Sequence, residues 1–176
     1  NVSALTSLGS VTLDTAVATP VLALASDTGA SAIDGITSNA TVNVTGLETG
    51  ATWEYSTDGG TTWTAGVGTS FQLSGTASTT YVVRQTDVAG NAATSAPLTA
   101  TLDTTVATPV LSLAADTGSS NTDQITSNNV VNVSDLEAGA TWEYRVDGGS
   151  WTAGAGTTFN LSAGTHSYDV RQTDVA

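Results

Sequence analysis

Tyr81-Val82-Val83-Arg84-Gln85-Thr86-Asp87-Val88-Ala89 recurs later in the chain as Tyr168-Asp169-Val170-Arg171-Gln172-Thr173-Asp174-Val175-Ala176. The two versions act as a small substitution experiment. Tyr and Val are kept at alternate positions, while Val82 between them becomes Asp169. An exchange of apolar for charged is tolerated only on a face that meets water. Tyr81 and Val83 therefore point inward with the period of two of a half-buried strand.

Working outward, Trp53-Glu54-Tyr55 returns as Trp142-Glu143-Tyr144, and Ser56 after it becomes Arg145. The same logic puts Trp53 and Tyr55 on the core face, with Val42 and Val44 as the layer opposite. The expected strands of the first copy are Val21–Leu24, Thr41–Val44, Thr52–Ser56, a return strand near Trp63 after the turn Asp58-Gly59-Gly60, Ser70–Leu73, Tyr81–Thr86 and Thr94–Leu102. The second copy repeats these through its Tyr168 strand. Many short strands separated by turn residues, with a Trp buried on the third, are the pattern of an immunoglobulin-like Greek-key sandwich. The fold expected is all-β: tandem, elongated immunoglobulin-like sandwiches. Trp63 and Trp151 are expected to pack at the core or edge beside the hairpin, and less readily to serve as sugar-stacking platforms.

Asp14-Thr15-Ala16-Val17-Ala18-Thr19-Pro20 returns as Asp103-Thr104-Thr105-Val106-Ala107-Thr108-Pro109. A repeat near 90 residues is the size of one small sandwich and far too long for a leucine-rich or ankyrin unit. The organisation expected is a G-strand-like stretch over 1–13, one module over 14–102, and a second over 103–176 without its own last strand. Residues Asn1–Leu13 resemble Asn91–Leu102 with one extra residue. Two explanations stay open: a window of a longer array, or head-to-tail complementation in which Asn1–Leu13 of one chain completes the sandwich of another.

The chain holds no Cys and no Lys, so neither a disulfide nor a Lys–Asn isopeptide bond staples it. A net charge of −13 argues against a nucleic-acid partner and against docking on an anionic membrane. No run of 18 apolar residues spans a bilayer. Catalysis has little to work with: His166 is the one histidine, it aligns with Thr79, and it falls in a turn. Gly66-Val67-Gly68 is a lone GxG in a hairpin region rather than a phosphate loop. No enzyme activity is expected.

The aspartates carry more. In an immunoglobulin-like topology, Asp27 and Asp34 between the first two strands, Asp103 after the last strand, and Asp174 after the sixth strand of the second copy converge on the junction between modules. Uncompensated, they would repel one another. Ca²⁺, which takes 6–8 oxygen ligands, resolves the cluster. Zn²⁺ lacks its Cys and His ligands here, and Mg²⁺ demands tighter geometry. Asp14 and Asp87 form the corresponding half-site toward a preceding module, and Asp116 and Asp123 the half-site toward a following one. Asp58 and Asp147 read as turn formers.

The strings Leu-Asp-Thr-x-Val-Ala-Thr-Pro, Asp-Thr-Gly, Trp-Glu-Tyr and Arg-Gln-Thr-Asp-Val-Ala-Gly-Asn (84–91) resemble the bacterial Ig-like repeats of giant, type I-secreted RTX and biofilm-associated adhesins. The resemblance implies an extracellular, calcium-stiffened extender whose partners are similar modules head-to-tail, with the same eight aspartates matching the family's acidic pattern. It also leaves a second reading, a carbohydrate- or receptor-binding adhesin module. The GGxGxD repeat of RTX tails is absent.

Overall fold

A computed structural model describes all residues, 1–176. It contains strands and no helix. The strands are β1 (Val21–Leu24), β2 (Ile36–Thr37), β3 (Thr41–Thr45), β4 (Thr52–Ser56), β5 (Thr64–Ala65), β6 (Ser70–Gln72), β7 (Thr79–Thr86), β8 (Ala92–Thr94), β9 (Leu98–Leu102), β10 (Val110–Leu113), β11 (Val130–Ser134), β12 (Thr141–Val146), β13 (Thr152–Ala153), β14 (Thr158–Asn160) and β15 (Tyr168–Thr173). The chain divides into two compact units. The first holds Asn1–Ser26 and Asn39–Leu102, the second Asp27–Ser38 and Asp103–Ala176. Residues Asp27–Ser38, which the sequence places between the first two strands of module 1, thus group with the second unit.

In the first unit β3 lies between β1 and β6 in one antiparallel sheet. In the other, β7 pairs with β4, β8 and β9, and β4 with β5. The alternation in the sequence is what lets two such sheets share a core. Val42 and Val44 of β3 and Phe71 of β6 meet Trp53 of β4, Tyr81 and Val83 of β7 and Ala100 of β9 in one buried cluster. Tyr55 stacks on Phe71, with centroids 4.5 Å apart. Val82, between Tyr81 and Val83, stays out of that cluster. Removing side chains of this kind from water supplies about 1.5–3 kcal/mol each, which is what holds a domain without disulfides.

The second unit repeats the plan with β10-β11-β14 and β13-β12-β15, around Val131, Val133, Trp142 and Phe159. Tyr144 stacks on Phe159 at 4.4 Å as its counterpart does. Within residues 1–176, β15 pairs with β12, as β7 pairs with β4 in the first unit.

Two expectations need correction. The last strand of the first copy is not continuous from Thr94 to Leu102 but broken into β8 and β9. Pro97 has no amide hydrogen to donate to a ladder. Ser95 bridges the break: its amide donates to the Val83 carbonyl at 2.8 Å, and its Oγ accepts from the Val83 amide at 3.0 Å. Ser56, read as solvent-facing from its exchange for Arg145, is only 2% exposed. It lies off the core cluster, covered by the hairpin turn that it caps through the amides of Asp58 and Gly60. The exchange is matched across the sheet instead. Arg145 pairs in register with Asp169 and bonds it at 2.7 Å, where the first copy has Ser56 opposite Val82.

Candidate functional site

The recurrent Arg-Gln-Thr-Asp string places a glutamine on the inner side of β7. Gln85 is 0% exposed. A buried primary amide must satisfy its donors and its acceptor, and it does so on the backbone. Its Nε2 donates to the carbonyls of Ala18 (2.6 Å) and Gly46 (2.8 Å), and its Oε1 accepts from the Glu48 amide at 3.0 Å. Glu48 completes the clamp by accepting from the Ala18 amide. Both peptide groups of Ala18, in the stretch leading to Pro20, are therefore held by side chains rather than by a strand partner.

The second unit repeats the clamp atom for atom. Gln172 donates to Ala107 (2.7 Å) and Asp135 (3.0 Å) and accepts from Glu137, while Glu137 accepts from the Ala107 amide at 2.7 Å. The sequence carried the signal, since Gln85 and Gln172 sit in the most faithfully repeated string. A polar residue at an inward position of a strand is what marks such a clamp.

The acidic residues sit in turns. Asp34 Oδ1 accepts from the Ile36 amide (2.9 Å), Asp103 Oδ1 from Thr105 (3.1 Å), Asp174 Oδ1 from Ala176 (3.1 Å), and Asp14 Oδ1 from Ala16 (3.3 Å). These are two-residue Asx turns, a local use of the carboxylate. Asp27 reaches further: its Oδ2 accepts from the Gly35 amide at 3.1 Å and closes the loop. Asp116 does the same with the Gln124 amide at 2.9 Å, while Asp123 forms the two-residue turn with the Ile125 amide at 3.1 Å. The other oxygen, Oδ1, of both Asp27 and Asp116 is buried with no hydrogen-bond partner. Leaving such an oxygen desolvated and unpaired carries a penalty, and the same atom bears it in both copies.

The stretches that carry Asp27, Asp34, Asp103 and Asp174 all belong to the second unit. Backbone hydrogen bonds tie them together: Ala30 donates to the Val175 carbonyl at 3.3 Å, and Asp103 to the Thr37 carbonyl at 3.0 Å. Gly29, at φ +90°, passes so near Val175 that a β-carbon would overlap its carbonyl. The side chains themselves are not gathered, since no three acidic or imidazole groups stand together as a metal-binding set.

Asp87 and Asp14 meet through Asn91 in the first unit. Asn91 donates its amide to Asp87 Oδ1 and its Nδ2 to Asp87 Oδ2, both at 2.8 Å, and Nδ2 also reaches the Asp14 carbonyl at 3.3 Å. The Asn91 side-chain bond, ahead of its backbone bond, holds the Asp87 carboxyl below its ordinary value.

The remaining polar groups have structural employment. Asp58 caps its hairpin through Thr62, Thr61 and Ser56, and the Thr62 hydroxyl above all holds its carboxyl far below the usual range. His166 Nδ1 lies 2.8 Å from Asp147 Oδ2. Trp63 carries the Arg84 guanidinium over its ring at 4.2 Å, and Trp151 carries Arg145 and Arg171 at 4.7 and 4.2 Å. Such cation–π contacts occupy ring surface that a sugar would need. The lone GxG is explained as well: Gly66 lies on the face of Trp53, and the Gly68 carbonyl accepts from Trp53 Nε1 at 3.0 Å.

No family model matches the chain, and no curated protein matches it either.

Proposed function

We propose that the chain is a structural extender: two tandem immunoglobulin-like sandwiches from a bacterial surface adhesin or biofilm matrix protein, stiffened by Ca²⁺ at the acidic residues around the linkers. The immunoglobulin-like reading draws support from Tyr81 and Tyr168. Each stands early on its strand and accepts at its hydroxyl from an amide a few residues upstream, Ser74 at 3.4 Å and Ser162 at 2.8 Å. A tyrosine placed so is a habit of that fold.

The observation that carries the calcium reading is the buried, unpartnered Oδ1 of Asp27, repeated at Asp116. A hard cation would supply what that oxygen lacks. Aspartates and backbone carbonyls are the donors Ca²⁺ prefers, and the chain has no Cys with which to favour a softer metal. Asp27, Asp34, Asp103 and Asp174, whose stretches are tied by backbone bonds but whose side chains do not stand together without an ion, would turn inward to hold it in the second unit. Asp14 with Asp87, and Asp116 with Asp123, would contribute likewise toward flanking modules. An extracellular setting suits the reading, because modules there bind calcium at about 10⁻⁴ to 10⁻³ M. The clamps at Ala18 and Ala107 add non-covalent anchorage of each linker to its module.

Calorimetric titration with calcium, on the wild type and on Asp27→Asn, tests it. The expectation is binding in the submillimolar to millimolar range, weakened by at least about tenfold in the variant. No calcium-dependent heat and no change in unfolding midpoint would remove the ion from the proposal.

A further inference from the structure

We propose that Asn43 and Asn132 are sites of N-linked glycosylation, each taking a sugar on its side-chain amide. The inference goes beyond the extender reading and uses none of its calcium chemistry.

Asn43 is the middle residue of β3 and Asn132 of β11, and both are exposed on the outer face of their sheets. Asparagine is depleted in strands, because its short polar side chain competes for backbone hydrogen bonds. A hydrogen bond of its own would justify the placement, and neither side chain makes one. The outer face is otherwise free to drift between the copies: Thr41 becomes Val130 and Thr45 becomes Ser134, while Asn43 remains Asn132. The exchange at Thr45 alters the residue and keeps the hydroxyl. Asn43-Val44-Thr45 and Asn132-Val133-Ser134 are thus both Asn-x-Ser/Thr, the acceptor sequence of N-glycosylation.

Such tripeptides arise easily in a chain rich in Ser and Thr, and two others show how chance looks. Asn39-Ala40-Thr41 has its counterpart in Asn128-Asn129-Val130, which lacks the hydroxyl. The asparagine there is kept for a turn: Oδ1 of Asn39 and of Asn128 accepts from the amide two residues on, both at 2.9 Å. Asn160-Leu161-Ser162 falls on Gln72 in the first copy. At Asn43 and Asn132 both copies hold the whole acceptor, on a side chain without a structural task.

The strand supplies the geometry. Residues two apart share a face, so the amide of Asn43 and the hydroxyl of Thr45 lie side by side, with Val44 buried between them. The register partners are small: Ala23 and Ser70 flank Asn43, and Ser112 and Thr158 flank Asn132. A sugar therefore meets no large side chain directly opposite on either neighbouring strand. In the reaction, Nδ2 bonds to the anomeric carbon of a phosphate-activated sugar. The bond from that carbon to the phosphate oxygen breaks, the phosphate leaves with the electron pair, and the amide gives up one proton. The product has a use in the fold. β1 is an edge of its sheet, carries no charge and leaves Val21 56% exposed. A bulky, hydrated group anchored one strand away screens such an edge against pairing with another chain.

The test takes the chain from the cells that produce it and maps sugar by mass spectrometry, with electron-transfer fragmentation to keep side-chain groups attached. A mass gain of one sugar or more is expected at Asn43 and at Asn132, and none at Asn39 or Asn160. Thr45→Ala should abolish the gain at Asn43 and leave that at Asn132, while Thr45→Ser preserves both. Sugar already present on cytosolic chains marks a nucleotide-linked donor, and sugar confined to exported chains a lipid-linked one. Bare Asn43 and Asn132 in the native protein overturn the proposal. Sugar at Asn43 that survives Thr45→Ala, or equal occupancy of Asn39 and Asn160, overturns it as well.

Discussion

Gly66 rests its α-carbon flat on the indole of Trp53, and a β-carbon there would overlap the six-membered ring. Gly154 and Trp142 repeat the relation. The neighbouring Gly68 differs: it takes φ +67° but has open space around it. Gly66→Ala is therefore expected to force the core tryptophan from its place and cost about 1–3 kcal/mol, the range for overpacking. Gly68→Ala should cost about 1 kcal/mol through backbone conformation. Urea unfolding followed by Trp fluorescence ranks the two, and equal costs would contradict the packing argument.

Gln85→Leu keeps the volume of the side chain and strands the carbonyls of Ala18 and Gly46 and the amide of Glu48. A loss of about 3 kcal/mol or more is expected, since each buried unsatisfied group costs about 1–3. Gln172→Leu should cost less, because its site is 9% exposed against 0%. Denaturant curves for the variants check both the size and the order.

His166 and Asp147 form the one ion pair that titrates near neutrality. The hydrogen bond that His166 donates to Asp147 raises the His166 pKa above 6.5 and lowers that of Asp147 below 3.8. A raised histidine stabilises fully below its unfolded value and loses that contribution as pH rises through its folded value. A lowered carboxylate stabilises above its unfolded value and loses it as pH falls through its folded one. The pair thus contributes most between about pH 3.8 and 6.5. NMR titration of His166 should show its pKa falling in Asp147→Asn.

Arg145 and Asp169 face each other across β12 and β15 with side chains 35% and 51% exposed. A double-mutant cycle to the Ser and Val of the first copy should give a coupling of roughly 0.2–1 kcal/mol, shrinking in high salt. A larger value would mean the pair is far less solvated than its exposure indicates.

Calcium tenfold above its dissociation constant is expected to stabilise by about 1.4 kcal/mol per site. For domains of this size that raises the midpoint by roughly 4–8 °C per kcal/mol. Differential scanning fluorimetry with calcium and then with chelator measures it, and Asp27→Asn and Asp103→Asn should each flatten the response.

The strands were legible because alternation and turn residues are local signals. The spans Val21–Leu24 and Thr52–Ser56 fall where the sequence puts them, and Tyr81 and Val83 face the core. What was not legible depends on groups distant in sequence. Gln85 reads as one more polar residue until Ala18 and Gly46 are brought beside it. Ser56 reads as exposed because its cover is a turn rather than the opposite sheet. Pro97 signalled the break in the last strand, and the alternation on either side of it hid that signal. The aspartates were recognisable as a repeated set, yet their sequence spacing gives no hint that Asp27 and Asp116 each keep one oxygen buried and unpaired.

The linker clamp has a consequence for heredity. Ala18, Glu48 and Gln85 all lie within one repeat, and so do Ala107, Glu137 and Gln172. A crossover between repeats that duplicates or deletes a whole copy carries every member of the clamp with it and strands none. A gene carrying further copies of this repeat would be able to gain or lose one by recombination with the clamp of every remaining copy intact.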